Sequence, residues 1–133
     1  MTIYFYLNLN GCIKYIMTNK EKSIAFSNGE FDKVYDFISD KAEWTVVEEN
    51  TFIGKQAIID SCKQVGSYFK SVTTKFVTLN VIAENGKVVV NGTAEFLRDN
   101  KRVSFVSACD LYEFNDKGQI LKVTSYCIPQ DNK

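Results

Sequence analysis

No histidine occurs among the 133 residues, and that absence excludes more chemistry than any motif present includes. Ser-His and Cys-His nucleophile pairs and histidine-bearing zinc sites are closed to this chain. Charge of neither sign is in excess, because 16 Lys and Arg offset 16 Asp and Glu. With no net positive field to hold a phosphate backbone or an anionic lipid surface, neither nucleic acid nor a membrane is an expected partner. The four cysteines, Cys12, Cys62, Cys109 and Cys127, lie far apart and form no C-x-x-C pair. They read as small core residues, and no metal or cofactor is expected. Long hydrophobic runs are also missing. The apolar stretch from Ile3 to Ile16 is interrupted by Asn8, Asn10 and Lys14, too polar and too short for a bilayer span and unlike a signal peptide. A reduced, cytoplasmic protein is the expectation. Proline occurs once, at Pro129, and no repeat or Pro-rich linker divides the chain.

What is present suffices for one domain with a real core. The length matches a single domain of about 100 to 150 residues, and 45% of the residues are hydrophobic. A chain this long removes roughly two thirds of its unfolded surface from water, so disulfides are not needed. Residues 1–16 read as an N-terminal extension in which Tyr4, Tyr6, Asn10-Gly11 and Ile13 suggest a hairpin, and 17–133 as the domain itself.

Thr18 followed by Glu21 is a capping-box pattern that starts a short helix ending near Gly29. Phe31, Val34, Tyr35 and Ile38 place one apolar stripe on a second helix. Ala42 to Val47 reads as a short strand. Ile58, Ile59, Cys62, Val65 and Phe69 recur at helical spacing and predict the principal helix over about Lys55 to Lys70. From Thr73 the chain turns rich in Val, Thr and Phe, with turn signals at Asn85-Gly86, Asp99-Asn100 and Lys117-Gly118 that predict a four-stranded meander. Helices first and a long antiparallel sheet after give an α+β domain, with the sheet wrapped around the helices.

The order and spacing of Phe26-Ser-Asn-Gly29-Glu-Phe31-Asp32, Gly54-Lys-Gln-Ala57-Ile58 and Asp110-Leu-Tyr112-Glu-Phe114 before Lys117-Gly118-Gln-Ile120 resemble the SnoaL-like branch of the nuclear transport factor 2-like superfamily, over about Thr18 to Ile128. The resemblance implies a cone-shaped, cystatin-like fold, an internal pocket and usually a homodimer. It implies no single activity, since members include ketosteroid isomerases, dehydratases, polyketide cyclases, epoxide hydrolases and proteins that only bind or associate.

The last hairpin can be argued from its own residues. A two-residue turn at Lys117-Gly118 pairs Asp116 with Gln119 and sets Glu113 opposite Lys122 in an outward salt bridge. Period-two alternation then puts Val106, Ala108, Asp110, Tyr112, Phe114, Leu121, Val123, Ser125 and Cys127 on the inner face. Asp110 is the one charge in that set. A carboxyl in apolar surroundings has its pKa raised by desolvation and can hold a proton to donate. In ketosteroid isomerases a protonated aspartate polarises the substrate carbonyl, and Asp110 resembles that residue in position. It reads equally as an acceptor that merely fixes the sheet through Ser125 or a backbone amide. The position resembling the isomerase base falls near Val46, and that of the first-helix tyrosine near Lys22, so an isomerase of that type is not expected. Replacement acids are Glu43, Glu48 and Glu95, and replacement phenols Tyr35, Tyr68 and Tyr112, each also readable as a solvated carboxylate or a core aromatic. The apolar set Val88, Val90, Ala94 and Phe96 turns Glu95 outward, whereas an ungapped match to the isomerase strand turns Thr93, Glu95 and Leu97 toward the pocket, and one residue in the Asp99 to Arg102 turn decides between them.

The expected site is Asp110 as a candidate catalytic acid, in a ligand pocket walled by Trp44, Phe69, Val106, Ala108, Tyr112, Val123, Ser125 and Cys127. Three functions follow. The first is binding of a small apolar molecule, the second an isomerase, cyclase or dehydratase using Asp110 as acid, and the third association through an outer face bearing Cys109, Leu111, Tyr126 and Ile128.

Overall fold

The computed structural model describes residues 4–7 and 13–130, with side chains from residue 16 onward. Strands β1 (Tyr4–Leu7) and β2 (Ile13–Ile16) pair antiparallel as a separate two-stranded sheet. The Asn10-Gly11 turn expected between them, and Cys12, lie outside the described residues.

Helix α1 (Asn19–Ser27) starts on the capping box. The Thr18 hydroxyl accepts from the Glu21 N–H and the Glu21 carboxylate accepts from the Thr18 N–H, both at 3.1 Å, which satisfies two otherwise unpaired donors. The stripe that follows forms a 3-10 helix (Phe31–Phe37), and Ile38 already belongs to strand β3 (Ile38–Val46). The physical reason is the spacing: Phe31, Val34 and Phe37 recur every third residue, the period of a 3-10 helix, and all three pack into the core. Strand β4 (Asn50–Ile53), which the sequence reading lacks, pairs back on β3 through a tight turn where Glu48 takes a φ of 66°. Helix α2 (Lys55–Ser71) is the principal helix, and β5 (Thr73–Glu84), β6 (Lys87–Arg98), β7 (Lys101–Phe114) and β8 (Ile120–Pro129) form the meander.

The second sheet runs in the order β4-β3-β8-β7-β6-β5, antiparallel except for the parallel β3–β8 pair. The fold is α+β, a curved, unclosed sheet of six strands holding the helices in its concave face. Buried Ala25 and Phe26 of α1 and Ile58 and Cys62 of α2 pack there with Trp44, Val88, Val90, Tyr112 and Val123 of the sheet. No described helix is long and apolar enough to cross a membrane.

Two glycines shape the wall of this cone. A Cβ at Gly29, where φ is +78°, would meet the Phe69 ring at 2.9 Å, so glycine there both ends α1 and admits the ring. At Gly92 a Cβ would overlap the Val77 carbonyl of the neighbouring strand, and the β5–β6 register shifts at that point, between Thr78 and Asn80.

The β7–β8 turn corrects part of the expected register. Glu113 does lie opposite Lys122, but the next pair is Phe114 with Ile120, so Leu121 is the extra residue of a bulge. Leu121, expected inside, is 42% exposed, and Ile120 is buried in its place. Asn115 causes the change. Its side-chain carbonyl accepts from the N–H groups of Lys117 and Gln119, and its own N–H bonds the Gln119 carbonyl, closing a longer turn than the two-residue one expected between Asp116 and Gln119. Glu113 makes its ion pair with Lys87, at 4.0 Å, rather than with Lys122.

Candidate functional site

Between the helices and the concave sheet lies a cavity of about 350 Å³, near the lower end of the range for small-molecule sites. Its walls are aromatic because several elements each contribute a ring. Phe26 stands edge-on to Trp44 at 5.1 Å, Trp44 meets Phe52 at 5.5 Å, and Phe69 stacks on Phe96 at 5.5 Å with Phe76 edge-on at 5.3 Å. These rings line the space together with Phe31, Val46, Val65 and Val90.

Against this apolar wall sits Asp110, 8% exposed, on β7 opposite Val90 of β6 and Ser125 of β8. The end of α1 reaches it across the sheet. Ser27 donates its hydroxyl to Asp110 Oδ2 at 2.7 Å and meets the Tyr112 hydroxyl at 2.6 Å. Trp44 donates its indole N–H to Ser125 Oγ at 2.9 Å. Because that indole nitrogen can only donate, the Ser125 oxygen is the acceptor and its own O–H is free for Asp110, to which it also bonds. Burial pushes the Asp110 carboxyl above the usual carboxylate range, and the hydrogen bonds from Ser27, Ser125 and Tyr112 oppose that rise without cancelling it. The Tyr112 phenol is raised well above its ordinary value, by burial first and by the Asp110 charge second. Asp110 is thus shifted toward its neutral acid, and the Ser27 hydroxyl can pass its hydrogen bond in either direction between Asp110 and Tyr112.

Of the expected site residues, Trp44, Phe69, Val106, Ala108, Asp110, Ser125 and Cys127 line the cavity. Tyr112 and Val123 do not. Both are fully buried behind the wall, Tyr112 packed at 5.8 Å from Phe26, and Tyr112 reaches the site through its hydrogen bonds to Ser27 and Asp110. The cysteines divide by strand parity and position. Cys62 is core, Cys109 is half-buried on the outer face, and Cys127, read both as a small core residue and as pocket wall, is exposed on the cavity wall near the end of β8. Burial, with the charges of Asp110 and Glu49, pushes its thiol up to about 11, so it is no thiolate at neutral pH.

Glu95 turns outward, as its strand parity predicts, and takes two hydrogen bonds from Arg102. Neither Glu43, Glu48, Tyr35 nor Tyr68 lines the cavity. Lys22 is held elsewhere, its ammonium donating to the Gly118 carbonyl at 2.7 Å and lying 4.0 Å from the Phe37 ring centre. Several polar residues of the wall escape the sequence reading, Ser27 and Glu49 among them. Ser27 carries no signal beyond its place after Phe26 at the end of a capped helix. Glu49 belongs to the β3–β4 turn and follows from no strand alternation, yet it lines the cavity beside Asn50.

The SnoaL-like domain family matches residues 23–123. The chain belongs to that family. Among solved structures, an NTF2-like protein of unknown function from Cytophaga hutchinsonii is 32% identical, with a TM-score of 0.72 over 80% of this chain and 92% of the other. An LEH-like epoxide hydrolase from M. tuberculosis shares the fold at 18% identity and a TM-score of 0.63, over 83% of this chain and 82% of that one. A Jannaschia protein provisionally assigned as a SnoaL-like polyketide cyclase does so at 15% identity and a TM-score of 0.65, over 82% and 84%. No curated protein matches the sequence.

Proposed function

We propose that this SnoaL-like domain binds a small, largely apolar molecule in the cavity, with a ligand oxygen accepting a hydrogen bond from the neutral carboxyl of Asp110. The observation that carries this reading is a buried acid, raised by desolvation, set in an aromatic wall. Apolar surface supplies the affinity, and one aimed donor supplies the orientation. An isomerase, cyclase or dehydratase using Asp110 as acid needs a base within reach of the same ligand. Val46 occupies the wall near the position that base would take, and the other carboxylate of the wall, Glu49, stands exposed at the rim, which favours binding over turnover. Thermal shift with matched polycyclic or isoprenoid ketones, alcohols and hydrocarbons tests the proposal. Ligand at about 100 times Kd stabilises the fold by roughly 2.7 kcal/mol, several degrees in Tm. Ketones and alcohols should exceed the hydrocarbons, and no shift with any of them would sink the reading.

A second role rests on the outer sheet face, where Tyr126 is 49% and Ile128 68% exposed beside half-buried Cys109 and Leu111. Contiguous apolar surface of this kind marks association, and a homodimer through this face is the reading it supports. Leu111→Lys should then run as a monomer by light scattering at a concentration where the parent is dimeric. A parent that stays monomeric at high concentration would remove the proposal.

A further inference from the structure

The cavity's polar groups are arranged by depth as well as by kind. Asp110 is buried and its carboxyl is already engaged by Ser27, Ser125 and Tyr112, which leaves the hydrated rim as the place for a ligand charge. Glu49 lines the same cavity from the β3–β4 turn but is itself exposed. Cys127 lines the same wall, near enough to both carboxyls to feel them. Phe52 on the edge strand β4 and Trp44 on β3 beside it present rings to the same space. No lysine or arginine occurs among the described residues that line it.

An anionic ligand group would therefore meet a like charge at the rim with nothing to pair it. A cationic group would meet a carboxylate and aromatic faces, both of which attract it, while staying partly hydrated. Building on the binding reading above, we propose that Glu49 makes the cavity mouth selective for a protonated amine, so that the ligand class is a small apolar amine rather than an acid or a phosphate ester. The amine sits at the rim beside Glu49, and the apolar body of the ligand fills the aromatic interior.

Calorimetric titration with three probes on one frame, 4-phenylcyclohexylamine, 4-phenylcyclohexanol and 4-phenylcyclohexanecarboxylate, tests this near pH 7. The amine is expected to bind about tenfold more tightly than the alcohol, and the carboxylate more weakly than either, with the amine's advantage shrinking as salt rises. Glu49→Gln should bring the amine-to-alcohol ratio close to one. Glu48→Gln, at the adjacent carboxylate off the cavity wall, should leave it near ten. An alcohol that binds as tightly as the amine, or a ratio unmoved by Glu49→Gln, overturns the amine selectivity and leaves the binding reading standing. Failure of all three probes to bind overturns both.

Discussion

Asp110→Asn is expected to be at least as stable as the parent at pH 7, although it replaces a buried, multiply hydrogen-bonded group. Asparagine keeps the shape, accepts from Ser125 through its carbonyl, and donates to Ser27, whose hydroxyl then turns toward Tyr112. What it loses is the charge, and the direction of the pKa shift sets the sign of the effect. A folded pKa raised above the unfolded value, near 3.9, means that folding favours the protonated form. Asp110 then contributes stability that is fully present below the unfolded pKa and is lost as pH rises through the folded one. Each unit of elevation corresponds to about 1.4 kcal/mol. Tyr112 and Cys127, which face Asp110, are both pushed up and stay protonated throughout this window. Urea denaturation from pH 3 to pH 8 should therefore show the parent losing stability relative to Asp110→Asn as pH rises from about 4, then a constant difference. A large loss in the variant at pH 7 would instead make Asp110 an ionised structural acceptor, and the binding site would fall with it.

The second large effect is on binding. Ala108 lies on β7 between Gly92 of β6 and Cys127 of β8, and all three line the cavity. Ala108→Phe puts a ring into that space without displacing the helices. Ligand affinity should fall at least about 100-fold. The fold should lose no more than the roughly 1–3 kcal/mol typical of overpacking, because the added ring enters a void. Calorimetry with a ketone that binds the parent, paired with urea denaturation of the variant, separates the two quantities. Unchanged affinity would place the ligand outside the cavity.

How much of this was legible in the sequence depends on whether the signal is local. Thr18 and Glu21 sit three residues apart and read directly as a cap, and the face of α2 and the turns of the meander follow from short-range spacing in the same way. Strand parity turns Asp110 inward, and of the two readings of the Glu95 strand the one that buries Val88, Val90, Ala94 and Phe96 is the one found. Parity fails where the pleat is interrupted, and the Asn115 turn is such a place, since one bulged residue exchanges Leu121 for Ile120. Strand β4 is four residues long and shows too little alternation to stand out before its pairing with β3 exists. Tyr112 lies on the correct face, but the sheet's parity cannot tell a residue that lines a cavity from one that α1 covers. Ser27 meets Asp110 across 83 positions of sequence, a contact set by how α1 lies on the sheet. Glu49 enters the cavity through a turn, where side-chain direction follows backbone angles rather than a repeat.

Hydrogen bonding to a ligand oxygen in the cavity depends on the protonation state of Asp110, which carbon NMR of its carboxyl observes directly. Titration of the labelled protein, with resonances assigned against Asp110→Asn, should give a folded pKa above the ordinary aspartate value. A bound ketone should raise it further, because that ligand takes its hydrogen bond from the protonated form. A carboxyl that titrates at or below the ordinary value, or whose pKa falls when the ketone binds, would contradict the central claim.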